Sequence, residues 1–237
     1  MESMSSYLSR SDVKKMMTTP TSEWLNHMTR DPIRATYYDK DAFYAPSDGF
    51  VLYSKIVDPN KDIIDVKGGK YTINNLLREE IKEKCLILSI FMTFLDVHVN
   101  RLPTSGFVKY EKMPSLKVTN LSMRPIESGI LEKMGVPKAQ ISYSLFNEAM
   151  KNEIFLNNIK QKYYLLQIAD FEVEVIAPFH ESGAFYTQCE RFSTVRMGSQ
   201  VDLIIPFINK SIKFSPLVVE KWHVEAGIDR IIKISRN

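Results

Sequence analysis

The longest apolar run in the chain, LILSIFMTFL at residues 86–95, sets the first limit on the fold. A helix that crosses a membrane needs about 20 such residues, so this run is too short to span a bilayer. The wider stretch 85–99 is rich in β-branched and aromatic residues, which favours a strand. We therefore predict a buried strand here and no membrane-spanning segment.

Turn signals divide most of the remaining sequence into short segments. The tetrapeptides PSDG at 46–49 and PTSG at 103–106 are typical of turns, and each is followed by apolar residues. Further strands are expected at about 163–177, 184–189, 200–208 and 217–234. Residues 112–160 are expected to be loop, with one helix within 143–156. The pattern predicts a mainly β fold of the α+β class, a compact β-sandwich or barrel-like domain with a few short helices.

Residues 1–40 are predicted to form an N-terminal helical arm, followed by a single domain over residues 41–237. Pro20 and Pro32 end two short helical segments, the second of which places Trp24, Leu25 and Met28 on one face. This face has two explanations. It packs on the core of the domain, or it lies in the headgroup region of a membrane together with the basic residues of the arm.

Composition excludes several classes of function. Lys and Arg (31) exceed Asp and Glu (28) by only three, which argues against a nucleic-acid partner. Two cysteines are too few for a disulfide scaffold, and four histidines lack metal-binding spacing, so no metal is expected. The N-terminus lacks the apolar core of a signal peptide. We expect a cytoplasmic protein and leave open a peripheral contact with a membrane.

Three local clusters could carry chemistry. Asp48 lies on the PSDG turn, His98 lies in the polar stretch 96–103 after the apolar run, and Gly198-Ser199 lies at a predicted strand junction. Each cluster alone has an ordinary structural explanation as a turn or a hydrogen-bonding residue. Together they supply an Asp, a His and a Ser, the residue types needed for base-assisted nucleophilic attack.

Six segments, in this order, resemble the short form of the phosphatidylserine decarboxylase family. They are APSDGFV (45–51), VKGGKYTINNLL (66–77), FMTFLDVHVNRLPTSGFV (91–108), QIADFEV (167–173), ERFSTVRMGSQVDLIIP (190–206) and VEAGIDRI (224–231). The resemblance covers roughly residues 43–234. The joint occurrence of DVHVNRLPTSG and GSQVDL, about a hundred residues apart, is its most specific part.

The resemblance implies a proenzyme that cleaves itself and makes its own cofactor. Ser199 would attack the carbonyl of Gly198, leaving a heavy chain to residue 198 and a light chain of residues 199–237. The new N-terminus would become a covalent pyruvoyl group derived from Ser199. His98 would act as the base and Asp48 would orient and charge-stabilise its imidazole. The mature enzyme would convert phosphatidylserine to phosphatidylethanolamine, releasing carbon dioxide through a Schiff base.

The resemblance leaves open which residues bind the substrate and which substrate the protein uses. Longer members of the family carry a second histidine where this chain has Arg101, a residue suited to bind a phosphate or carboxylate. Arg101 and Asn100 are therefore candidate substrate-binding residues, although Arg101 could equally form a local ion pair. The partner is a phospholipid or amino-acid substrate, and a homodimer of processed chains is expected. Decarboxylation of a free amino acid and a non-catalytic binding domain are the alternatives.

Overall fold

A computed structural model describes residues 1–65, 71–156, 159–171, 176–196 and 199–236, with only the backbone of Ser199. Within these residues the α-helices are α1 Met4–Ser9, α2 Ser11–Met17, α3 Thr21–Met28, α4 Ile73–Leu77, α5 Arg124–Lys133 and α6 Tyr143–Phe146. The strands are β1 Glu2–Ser3, β2 Ala42–Tyr44, β3 Gly49–Val57, β4 Cys85–Met92, β5 Val99–Arg101, β6 Gly106–Met113, β7 Ala149–Leu156, β8 Gln161–Ala169, β9 Ile176–Pro178, β10 Phe185–Tyr186, β11 Arg191–Val195, β12 Ser199–Pro206, β13 Ile212–Pro216, β14 Trp222–Val224 and β15 Arg230–Arg236. The mainly β class is confirmed.

One large antiparallel sheet organises the described part of the molecule. Its strand order is β1-β14-β3-β4-β12-β8-β7-β6-β10, with edges at β1 and β10. Two three-stranded sheets, β5-β11-β9 and β13-β15-β2, accompany it. Strand β4 is buried along its whole length between β3 and β12, as its apolar sequence predicts. Apolar clusters on the two faces of the large sheet form the core.

Two of the expected local elements are wrong and a third is confirmed. The buried strand ends at Met92 rather than near Val99, because a polar turn follows it. The region 112–160 is not mostly loop, since it contains helix α5 and the eight-residue strand β7. The helix expected within 143–156 is present as the single turn α6, and β7 follows it.

The N-terminal arm packs on the domain, which confirms the first explanation of its apolar face. Met4, Tyr7, Val13 and Met28 are buried in one core cluster, and Trp24 stacks on Phe94 with 3.8 Å between ring centroids. Strand β1 also extends the large sheet. The membrane explanation therefore loses most of its apolar contacts. The division at residue 40 stays a prediction. No helix among the described residues is long and apolar enough to cross a bilayer.

Candidate active site

One end of the large sheet gathers the segments that carry the predicted site residues. Ser199, the first residue of β12, pairs with Met92 at the end of β4. On the other side of β4, Phe50 pairs with Phe91, so Asp48 just precedes the start of β3 at the same end. Neighbouring strands lie about 4.8 Å apart, so Asp48 and Ser199 flank the end of β4 from opposite sides.

Gly49 fixes the approach of the Asp48 segment to β4. Its φ is +137°, and a Cβ atom on it would lie 2.2 Å from the carbonyl oxygen of Phe91. Only glycine allows both this conformation and this contact. The PSDG sequence therefore has a steric role in addition to carrying the carboxylate.

The turn that follows β4 is held by Asp96, which is fully buried. Its Oδ2 accepts hydrogen bonds from the backbone N–H and the hydroxyl of Thr93, at 2.7 and 2.8 Å. Its Oδ1 lies 2.7 Å from Nε2 of the buried His223. Burial by itself would raise the pKa of Asp96, but His223 and the Thr93 hydrogen bonds hold it below the ordinary value.

His98 is buried immediately after this turn, and both of its ring nitrogens face backbone carbonyl oxygens. Nε2 lies 3.0 Å from the oxygen of Thr93, and Nδ1 lies 3.1 Å from the oxygen of Val195. Burial lowers the pKa of His98, which favours the neutral imidazole. A neutral ring has one N–H, so one nitrogen keeps a lone pair beside an acceptor. A protonated His98 would have a carbonyl acceptor at each ring nitrogen, and its role as a base stays a prediction.

Asp48 makes its hydrogen bonds to groups other than His98 in the described structure. Its carboxylate accepts two hydrogen bonds from Arg34 and a third, of 2.8 Å, from the backbone N–H of Ala226. A longer contact of 3.4 Å comes from the backbone N–H of Val97. Asp48 and His98 therefore lie in the same region without a direct bond, and the assigned triad stays a prediction.

The structure describes only part of the predicted self-cleavage site. Gly198 lies outside the described residues, and Ser199 is described by its backbone alone. The chain that leads to them is fixed at Val195, which ends β11 and whose backbone N–H and carbonyl both contact His98. His98 thus lies against the segment that enters the predicted cleavage site.

The two candidate substrate-binding residues both have partners inside the protein. Arg101 donates to the carbonyl of Cys189 at 3.0 Å and lies 3.8 Å from Asp31, and it also lines a groove of about 380 Å³. Asn100 is completely buried, and its side-chain oxygen accepts a 2.6 Å hydrogen bond from Gln167. Their role in substrate binding stays a prediction.

Sequence reasoning missed the contribution of the arm to this site. His27 and Arg30 contact the carbonyl oxygen of Leu95 at 2.9 and 3.0 Å, and the carbonyl of Met28 accepts the backbone N–H of His98. Beside them, a cavity of about 470 Å³ is lined by Asp48, Arg34, Arg30, Tyr7 and His223, among others. The only sequence signal was the apolar face of α3, for which packing on the core and contact with a membrane were both open.

Comparisons with known proteins identify the family of the chain. The family model described as phosphatidylserine decarboxylase matches residues 22–231. The chain is 28% identical over 183 residues to a phosphatidylserine decarboxylase proenzyme of Beijerinckia indica, covering 77% of this chain and 64% of that protein. It is 30% identical over 181 residues to the proenzyme of Pelodictyon phaeoclathratiforme (75% and 66%). It is 28% identical over 182 residues to that of Ehrlichia chaffeensis (75% and 63%).

The aligned part of the chain thus spans just under two thirds of the length of these three relatives. The family match, by contrast, extends over most of this chain, from the second residue of helix α3 to the second residue of strand β15. It also contains Asp48, His98 and Ser199, whose segments meet at one end of the sheet. The chain therefore belongs to the phosphatidylserine decarboxylase family.

Proposed function

We propose that this protein is a self-cleaving decarboxylase that acts on phosphatidylserine and releases carbon dioxide. The observation that carries the proposal is the pairing of Ser199 with Met92, because it sets the predicted nucleophile at the sheet end where Asp48 and His98 also lie. The relatives are named phosphatidylserine decarboxylase proenzymes, which supports both the reaction and the self-cleavage.

In the cleavage step, the Ser199 hydroxyl attacks the carbonyl carbon of Gly198 and His98 accepts the hydroxyl proton. The buried imidazole is suited to this role because its lowered pKa leaves it neutral before the reaction. Once protonated, it can donate hydrogen bonds to two carbonyl oxygens. Asp48 adds a negative charge nearby that favours the imidazolium. The ester replaces the amide, and elimination then separates residues 1–198 from residues 199–237.

The proposal includes a pyruvoyl group at position 199, and the buried His98 and Asp48 at this sheet end support it as groups that could serve its chemistry. Such a group supplies a carbonyl that withdraws electrons as carbon dioxide leaves. The residues of the chain itself would position the headgroup, exclude water and move protons. His98 lies 3.0 Å from the oxygen of Thr93, the residue after the one that pairs with Ser199, which supports a role for His98 in proton exchange near residue 199.

A phospholipid substrate implies work at a membrane surface, because removing two acyl chains from a bilayer costs about 0.8 kcal/mol per CH₂. We propose a peripheral cytoplasmic enzyme, assembled as a homodimer of processed chains. One observation favours a second candidate, decarboxylation of a free amino acid. The apolar face of the arm is buried on the domain and so is not available to insert into lipid.

Intact-mass measurement of the purified protein tests the proposal. Self-cleavage should convert the 27.4 kDa chain into fragments of roughly 23 and 4.5 kDa, by proportion of residues. The small fragment should resist Edman sequencing, because a keto-acyl group blocks its N-terminus. Ser199→Ala should remain one chain.

Carbon dioxide release then separates the candidates. Release from phosphatidylserine vesicles supports the lipid enzyme, and release only from a soluble amino acid supports the second candidate. A single uncleaved chain that releases no carbon dioxide from either substrate would contradict both decarboxylase candidates. A non-catalytic binding domain would then be the remaining alternative.

A further inference from the structure

A second cavity, of about 390 Å³, opens between helices α3 and α5 at the end of the large sheet. Trp24, Phe94 and Leu131 contribute an apolar wall, whereas Glu127 and Asp170 contribute carboxylates. Small-molecule sites commonly combine a largely apolar lining with a few polar groups. This cavity has that character and lies apart from the one lined by Asp48.

The strand register places this cavity beside residue 199. Ser199 pairs with Met92 on one side and with Ala169 on the other. Phe94 follows Met92 by two residues, and Asp170 follows Ala169 by one. Phe94 and Asp170 both line the cavity. A strand rises about 3.3 Å per residue, so the cavity wall begins within a few ångströms of the backbone of Ser199.

Glu127 is the titratable residue of α5 that is held toward this wall. Its Oε1 accepts a 3.0 Å hydrogen bond from the backbone N–H of Phe94. The pKa of Glu127 is raised to about 7, chiefly by burial and also by the charges of Asp170 and Asp96; the Phe94 hydrogen bond and the charge of Arg124 oppose this rise. Besides Glu127 and Asp170, the charged residues of the lining are Arg124 and Glu132 on the same helix, so carboxylates outnumber cations three to one. A carboxyl group that titrates near neutral pH can both accept and return a proton.

We propose that Glu127 binds the ammonium group of the serine headgroup in this cavity and removes one proton from it. The inference rests on the proposed function. The carboxylate of Glu127 gains the proton and becomes a neutral acid, while the ammonium becomes a neutral amine, so charge and atoms balance. The neutral amine has the lone pair that attack on a carbonyl at residue 199 requires, which the ammonium lacks.

The rest of the cavity supports this orientation of the substrate. The stacked rings of Trp24 and Phe94 form a rigid apolar surface, with 3.8 Å between centroids, against which the carbon skeleton of the headgroup can lie. Phe94 contributes both this surface and the N–H that fixes Glu127. The amine would therefore be held by Glu127 at the end of the cavity nearest residue 199.

Binding to the uncleaved full-length Ser199→Ala protein tests the proposal without any turnover. The probes are glycerophosphoserine, which carries the ammonium, and glycerol 3-phosphate, which lacks it. Adding Glu127→Gln, which keeps an oxygen for the Phe94 N–H, should weaken glycerophosphoserine binding at pH 8 by about tenfold or more. Glycerol 3-phosphate binding should not change. Glu80→Gln, at an exposed position, is the matched control.

Turnover gives an independent readout. Otherwise wild-type Glu127→Gln should cleave itself at the wild-type rate, yet its kcat/KM on phosphatidylserine vesicles should fall by roughly 10²-fold or more. In the wild-type protein kcat/KM should fall as the pH drops below about 7. This fall should be absent in Glu127→Gln.

Wild-type kcat/KM in Glu127→Gln, unchanged glycerophosphoserine binding, or no binding to Ser199→Ala at about 10 mM would each overturn the role of Glu127. A chain that binds glycerophosphoserine through Glu127 but never cleaves would instead refute the proposed function alone.

Discussion

Arg34 holds Asp48 through two parallel hydrogen bonds, Nη1 to Oδ1 at 2.6 Å and Nη2 to Oδ2 at 2.7 Å. Both side chains are almost completely buried. The pair joins the N-terminal arm to the turn that precedes β3, and it lies beside the region of His98. The carboxylate predicted to support catalysis is thus also the anchor of the segment that covers the site.

Removing one charge of this ion pair should lower the free energy of unfolding more than removing both charges. Arg34→Gln leaves the Asp48 carboxylate buried without its cation, which typically costs about 3 kcal/mol or more. The double variant Arg34→Gln/Asp48→Asn should unfold at higher urea concentration than Arg34→Gln alone. Arg230→Gln, which removes an exposed ion pair with Asp39, is the control and should change little. Equal stability of the single and double variants would show that the unpaired Asp48 carboxylate is not what destabilises Arg34→Gln.

Self-cleavage should depend on the neutral form of His98. Since burial lowers the pKa of this residue, the cleavage rate should stay constant from pH 8 to about 6.5 and fall only at lower pH. His98→Ala should slow cleavage by roughly 10²–10⁴-fold, the usual contribution of a general base. Time courses of intact mass at each pH give both results.

Asp48→Asn tests the charge of Asp48 separately from its shape, and it should also slow cleavage. Asp62→Asn, at an exposed position, should cleave at the wild-type rate. Wild-type rates in both His98→Ala and Asp48→Asn would show that these residues are structural.

Gly49→Ala should be strongly destabilising, by about 3 kcal/mol or more, because it combines a strained φ with a clash against the carbonyl of Phe91. Gly183→Ala is a matched control, since Gly183 also has a positive φ (+96°) but no atom lies within 4 Å of its added Cβ. Urea unfolding should show a clearly larger loss for Gly49→Ala than for Gly183→Ala. Similar losses would mean that the close approach to β4 does not constrain residue 49.

Asp202 should make the protein less stable as pH rises. It is fully buried on β12, and burial raises its pKa to about 7. Between about pH 4 and pH 7 the unfolded chain releases this proton while the folded chain retains it, so stability should fall by on the order of 1 kcal/mol per pH unit. Glu127, whose pKa is also raised to about 7, contributes a similar slope. Asp202→Asn should therefore reduce the slope measured by urea unfolding at several pH values, and leave the part due to Glu127. An unchanged slope in Asp202→Asn would assign it to other groups.

Ile33 is the best remaining candidate for contact with a lipid surface. It is 97% exposed and lines the cavity that contains Asp48. Ile33→Glu should reduce sedimentation with phosphatidylserine vesicles, because it replaces an apolar contact by a charge that the anionic surface repels. Val118→Glu, at another fully exposed position, should leave sedimentation unchanged. No sedimentation of the unmodified protein at low or high salt would favour a soluble substrate.

Local sequence patterns determined the strand nature of residues 86–92 and the fold class. The apolar run has no polar alternation, which is the pattern of a strand covered on both faces. The family motifs also identified Asp48, His98 and Ser199 as candidates before their positions were known. These features depend on side chains close together in the sequence, so their pattern can be read without the fold.

Tertiary structure alone decided where β4 ends and which groups surround the site. Asp96 pairs with His223, 127 residues away in the chain, and this pair holds the turn that ends β4. Glu127 reaches Phe94 only because α5 packs at the end of the sheet. Strand β7 was missed because it carries charged residues that are paired across the sheet, such as Lys151 with Glu111. Such contacts leave no local periodicity, since the energy that favours each of them depends on partners brought together by folding.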